Sequence, residues 1–182
     1  MAAVMWDNDG VMSDWVGNFY PWLCAREGWV ETEWEIWHHY RNHEMHDVEF
    51  VEALKEYASL GGFAEQQMFP GVREAIQRIK DAGHTQHVVT DRPDAAHADT
   101  AWWVDTFAPE IDTLSFGRDK TVFKAYDDGP YYAIDDRIEN VQSMIDAGIN
   151  AVLLDQPWNR EADLPRVYTA EEFAELVCSA GE

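Results

Sequence analysis

Apolar and polar positions along the chain fall into short, well-separated blocks. Residues 2–6 (AAVMW) form an unbroken apolar run that stops at Asp7-Asn8-Asp9-Gly10, the pattern of a buried strand ending in a tight loop. Over residues 71–82, Val72, Ala75, Ile76, Ile79 and Ala82 recur at helical spacing, with Gly83 as the stop. Thr85 to Thr90 (TQHVVT) reads as a strand closing at Asp91-Arg92-Pro93. Asp112–Phe116, Tyr131–Ile134 and Ala151–Leu154 are further short strands. Helical segments such as Glu139–Ala147 separate most of them, and another short helix covers Ala170–Cys178. Strands alternating with helices predict an α/β fold on a parallel sheet, with functional groups beyond the carboxyl ends of the strands.

Residues 15–69 break this rhythm. They hold Trp15, Phe19, Trp22, Trp29, Trp34 and Trp37, then an amphipathic run with Val51, Leu54 and Ala58, but no clear strand. The stretch reads as a small helical cap inserted after the first strand. The α/β core is then residues 1–14 and 70–182.

Composition narrows the function. At 182 residues and 46% apolar content the chain can build a sizeable core, which excludes wholesale disorder. Thirteen Lys and Arg face 35 Asp and Glu, a net charge of −22. Such a chain repels polyphosphate backbones, so long nucleic acid is not its partner, although small anions can be held where a cation reverses the field. No apolar run approaches the roughly 18–20 residues that cross a bilayer, and the N-terminus lacks the basic region of a signal peptide. These features point to a cytoplasmic protein, or one in a host's cytoplasm, that needs no membrane. Cys24 and Cys178 are too few for a disulfide framework or a thiolate zinc site.

The candidate chemistry is carboxylate chemistry. Asp7 and Asp9 sit two apart at a strand exit, where one can attack or bind a metal while the other moves a proton. Asp135-Asp136 ends the apolar YYAI run in the same way. Carboxylates gathered at one sheet edge repel each other unless a cation lies among them, and oxygen ligands favour Mg²⁺. Thr90 at its strand end offers a hydroxyl to an anionic oxygen, and Arg118 and Lys120 offer positive charge. On an α-helix, His39, His43 and His46 would share one face able to ligate a transition metal; the alternative is a solvated cap helix.

The order of these residues resembles the haloacid dehalogenase-like superfamily of phosphohydrolases. Asp7-Asn8-Asp9-Gly10-Val11, Thr90, Lys120 and Asp135-Asp136 match its four motifs in sequence. The likeness narrows to the 5′(3′)-deoxyribonucleotidases through DNDGVMSDW, FPGVREAIQRIKDAGH, VVTDRP, AWWVDTFAP, GRDKT, IDDR and LLDQPWNR. It implies a Rossmann-like, three-layer parallel sheet and a small-molecule nucleotide substrate, with a homodimer left open. It further implies Asp7 as nucleophile and Asp9 as general acid and base. Magnesium would sit on Asp7, the Asp9 carbonyl and Asp136, with Asp135 in or near that shell. Thr90, Lys120 and Arg118 would bind phosphate, and Trp15 would stack on the base.

Two features depart from the pattern. Asp91 stands where relatives carry a small residue, and the segment between Lys120 and Asp135 is long. The rival readings are a 3′-phosphatase on nucleic-acid ends, a phosphatase of another small phosphomonoester, and a silent binding module of the same fold.

Overall fold

The computed structural model describes residues 1–179. Its centre is β1 (Ala3–Trp6), a strand buried along its whole length. Val4 and Trp6 enter the apolar layer on one face of the sheet, while Ala3 and Met5 enter the layer on the other. That two-sided burial is why β1 reads as a continuous apolar run rather than an alternating one.

Around β1 assemble β2 (Thr85–Thr90), β3 (Thr113–Phe116), β4 (Tyr131–Asp135), β5 (Asn150–Leu154) and β6 (Arg166–Val167). All pairings are parallel and the strand order is β3-β2-β1-β4-β5-β6. This is a Rossmann-like α/β sheet, with its topological switch at β1, where a crevice opens beyond the carboxyl ends. The two-residue β6 was not anticipated from the sequence.

Helices cover both faces. The apolar stripe Val72, Ala75, Ile76 and Ile79 of α3 (Val72–Asp81) packs with Trp6, Trp103 and Phe173. Gly83, at φ +82°, lets the chain turn from that helix into β2. Trp103 lies on α4 (His97–Phe107) and Phe173 on α6 (Ala170–Ser179). On the opposite face, Val141 and Met144 of α5 (Ile138–Asp146) pack with Met5, Val89 and Phe123. Phe123 explains the length between Lys120 and Asp135. A short 3₁₀ turn there plugs this side of the core, and Asp127 accepts from Thr85 and His87.

The segment between β1 and α3 forms α1 (Trp15–Glu27) and α2 (Asp47–Ser59) with an apolar cluster of its own. Phe19, Tyr20, Leu23 and Cys24 of α1 meet Trp34, Tyr40, Tyr57 and Phe63 there. Ala53, Tyr57 and Ala58 are the buried face of α2, whereas Val51 and Leu54 look into the cavity described below.

The histidine run does not form the expected α-helical face. His39–His43 is a 3₁₀ helix that ends at Glu44, with φ +61°, and His46 caps α2. His39 and His43 both place Nε2 3.2 Å from the Tyr20 hydroxyl, and burial pushes the His39 imidazole below its ordinary pKa. Through Nε2 both rings serve the segment's own hydrogen bonds, although the His39 Nδ1 is buried without a partner. No helix among the described residues is long and apolar enough to cross a membrane.

Phe173 stands edge-on to Trp6, 5.1 Å between ring centroids, and joins α6 to the central strand. Phe173→Ala should cost about 3–5 kcal/mol. Thermal denaturation should show this as a fall in Tm of roughly 6–20 °C, and an unchanged Tm would contradict the packing described.

Candidate active site

The site grows out of three strand ends. Asp7 follows β1 directly, its N–H donating to the Ile134 carbonyl at 3.0 Å. The chain then turns sharply: the Asn8 carbonyl accepts from the N–H groups of Met12 and Ser13, both at 2.9 Å. Gly10 makes the turn feasible at φ +78°, and a Cβ there would lie 2.2 Å from Asp136 Oδ2. Asp14 closes the loop by capping α1 through the Gly17 N–H at 2.9 Å.

Beside Asp7, β4 delivers Asp135 and Asp136. The three carboxylates can each present an oxygen within 4.8 Å of the others, and all are buried. Asp135 is held by the Arg137 N–H at 2.8 Å and by the Asn140 side chain at 3.0 and 2.9 Å. Asp136 Oδ2 accepts from the Trp158 indole at 3.0 Å, while its Oδ1 is buried without a partner. A buried, unpartnered carboxylate oxygen beside two more carboxyls is the donor set of a hard divalent cation. The side chain of Asp9 is not part of this group.

Lys120 answers the negative charge. Its Nζ donates to Asp7 Oδ1 and to the Val89 carbonyl, both at 2.5 Å, and lies 3.9 Å from Asp135. Burial opposes its charge, but Asp7 and Asp135 outweigh that and hold the ammonium pKa above its ordinary value. One cation does not balance three buried acids. Desolvation, helped by neighbouring carboxylates, raises Asp7, pushes Asp135 up to about 7 and lifts Asp136 well above the carboxylate range.

These groups lie at one end of a cavity of about 690 Å³, which Asp7, Asp9, Thr90 and Lys120 line from the sheet side. Four of the chain's 13 Lys and Arg residues, namely Arg92, Arg118, Lys120 and Arg137, border it. Four aspartates, Asp7, Asp9, Asp91 and Asp94, line it as well, so the cavity is close to charge balance in a chain of net charge −22 and is less hostile to an anion than the rest of the surface. Arg118 is largely exposed at the rim, where its Nε contacts Asp91 at 3.1 Å. The unusual Asp91 is thereby paired with a cation rather than left bare beside Thr90.

The far wall is aromatic. Trp15, Trp37 and Phe50 line it, and Trp15 lies over Phe19 with ring centroids 5.0 Å apart. Trp15 is only 8% exposed, so most of its surface belongs to the helical cluster and only part of the indole is open to the cavity. Trp37 is more open, and the Arg137 guanidinium sits 4.7 Å from its ring centre.

Sequence reasoning passed over Arg92, Arg137, Asn140, Trp37, Phe50 and Trp158 as site residues. Arg92 and Arg137 carried a usable signal, as cations just after Thr90 and Asp136 in a chain poor in cations.

The sequence model of the family described as 5′ nucleotidase, deoxy (pyrimidine), cytosolic type C protein matches residues 1–181. A search of curated proteins finds no match. Among solved structures, a β-phosphoglucomutase candidate from Thermotoga maritima superposes with a TM-score of 0.70 at 19% identity, covering 98% of this chain and 99% of that one. A HAD phosphatase from Thermococcus onnurineus gives 0.60 at 15%, covering 97% and 98%. A D,D-heptose 1,7-bisphosphate phosphatase from Burkholderia thailandensis gives 0.58 at 16%, covering 98% and 99%. At these identities the likeness is one of fold.

The raised carboxyl pKa values set a pH signature. A carboxyl raised by folding favours the folded state below its unfolded pKa near 4, and that contribution is lost as pH climbs through its folded value, about 7 for Asp135. Cation binding needs the ionised forms. Added Mg²⁺ should therefore raise Tm more at pH 8 than at pH 5, and Asp136→Asn should remove most of the gain. Equal Mg²⁺ effects at both pH values, or in both proteins, would place the cation elsewhere.

Proposed function

The chain belongs to the family of deoxy (pyrimidine), cytosolic type C 5′ nucleotidases and is a nucleotidase-like phosphomonoester hydrolase; from that premise we propose that it releases phosphate from (deoxy)nucleoside monophosphates in the cytoplasm, through an aspartyl-phosphate on Asp7. One observation carries this reading. A single cavity joins a floor of Asp7, Thr90 and Lys120 to an aromatic wall of Trp15, Trp37 and Phe50, so phosphate and base have separate, chemically fitting ends.

In this mechanism an Asp7 oxygen attacks phosphorus as the bond to the nucleoside oxygen breaks. Asp9 gives its proton to that departing oxygen, which would otherwise leave as a poor alkoxide. The Asp9 carboxylate then takes a proton from water, whose oxygen attacks the aspartyl-phosphate, freeing inorganic phosphate and restoring Asp7. Lys120, already on Asp7 Oδ1, neutralises charge on the equatorial phosphoryl oxygens, and the Thr90 hydroxyl and Arg118 at the rim hold the phosphate. Asp7, Asp136 and the Asp9 carbonyl, with Asp135 beside them, would hold Mg²⁺, which when bound neutralises phosphoryl charge.

A phosphate-release panel over ribo- and deoxynucleoside monophosphates, with and without Mg²⁺, tests the assignment. Asp7→Asn should abolish turnover and leave no phosphorylated protein, while Asp9→Asn should lose about 10²–10⁴-fold. Chelation should stop the reaction, with Mg²⁺ restoring it better than the larger, more loosely coordinated Ca²⁺. Near-normal turnover by Asp7→Asn would sink the mechanism.

The aromatic wall gives a separate expectation. Trp15→Ala should raise KM for nucleotides by the equivalent of about 1–3 kcal/mol while sparing a plain sugar phosphate, which has no base to stack. Equal losses on both substrates would make Trp15 part of the helical cluster alone.

A further inference from the structure

Arg92 is the most completely engaged side chain near the site, and the mechanism above leaves it without a task. Its side chain is 1% exposed, yet every nitrogen of its guanidinium has a partner. Nε donates to Asp9 Oδ2 at 2.9 Å and Nη2 to Asp9 Oδ1 at 2.5 Å, a bidentate pair. Nη1 donates to Thr100 Oγ1 at 2.9 Å. Nη2 also meets Ser13 Oγ at 3.2 Å and the Gln66 carboxamide oxygen. With its carboxamide oxygen turned toward the group, Asn8 accepts from Nη2 and Nη1 at 2.9 and 3.0 Å.

These partners come from separate parts of the chain. Asn8 and Ser13 belong to the loop after β1, Thr100 to α4, and Gln66 to the strand-free return from α2. Gln66 is fixed in turn by the Trp103 indole, which donates to its carbonyl at 2.7 Å. The flat face of the guanidinium lies 4.6 Å from the Phe63 ring centre. A group anchored on this many sides cannot swing, and neither can the carboxylate it grips through both oxygens. Asp9 nonetheless keeps about a fifth of its side chain open, toward the cavity it lines.

We propose that Arg92 is the positioning residue for Asp9, aiming its carboxyl at the oxygen of the departing group. The proposal rests on the phosphatase reading above. Without the bidentate grip, Asp9 would rotate about its own side-chain bonds, and a misplacement of about 1 Å costs roughly 10²-fold in a proton transfer. A lysine cannot replace the grip, because an ammonium is a point charge without the planar fork.

The test compares two leaving groups in Arg92→Lys. A nucleoside monophosphate expels an alkoxide that needs a proton from Asp9, whereas p-nitrophenyl phosphate expels a stable phenolate that does not. Both esters share the second step, in which Asp9 also activates water, so the rate read is leaving-group release in a single turnover with protein in excess. On the nucleotide it should fall about 100-fold, and on the aryl ester by a factor roughly ten times smaller. Equal losses on both esters, or undiminished release from the nucleotide, would overturn the proposal. Should Arg92→Lys prove unfolded at the assay temperature, the same ratio is measured in Thr100→Val, which removes one anchor and keeps the ion pair. The ratio of nucleotide to aryl release should drop there too, and an unchanged ratio would overturn the proposal. Wild-type protein inert on both esters would instead defeat the phosphatase reading itself.

Discussion

Three carboxyl groups and one ammonium share a dry corner at the carboxyl edge of the sheet, and the rest of the molecule is arranged around that juxtaposition. Buried charge of one sign is costly unless matched, and Lys120 matches only part of it. The surroundings supply the remainder by orientation. The Asn140 amide and the Arg137 N–H fix Asp135, the Trp158 indole fixes Asp136, and strand ends fix all three backbones. The parallel sheet matters here because it delivers Asp7, Thr90 and Asp135 to the same edge from strands that are neighbours in space but distant in sequence.

Much of this was legible in the chain because the physics is local. An apolar run cut off by Asp7, the TQHVVT run ending at Thr90, and YYAI ending at Asp135 each announce a strand and what it carries. What was not legible depends on tertiary neighbours. The strand order is not written in any one segment, and β6 is two residues long, too short for a period to show. Arg92 shows in the sequence as a cation two residues after Thr90 in a chain poor in cations, but its task appears only when Asp9, 83 positions away, is found in its grip. The histidine run misled because spacing assumes a continuous α-helix, whereas Glu44 turns into the left-handed region and ends the 3₁₀ turn before His46.

The aromatic segment shows how composition and position differ in information. Its tryptophans announce a compact apolar unit, but not which rings remain uncovered. Trp34 is buried in the cluster, while Trp37, three residues later, reaches across to Arg137 and approaches Trp158 at 6.2 Å. The contacts that span from this segment to the sheet therefore include two cation–aromatic pairs, Phe63 with Arg92 and Trp37 with Arg137. The first is locked among the fixed partners of Arg92, while the second lies at the more open ring on the cavity wall.

Gly10 fits so closely against Asp136 that the loop after β1 and the turn after β4 behave as one solid piece. Evolutionary drift at this position is closed from two directions at once. Alanine would strain the backbone, and its methyl would displace the carboxylate and press on the Trp158 ring behind it. Neither loop can then be remodelled alone: a chain that changed one would have to change the other in the same step. New specificities are more accessible by rebuilding the aromatic wall than by altering the acidic floor.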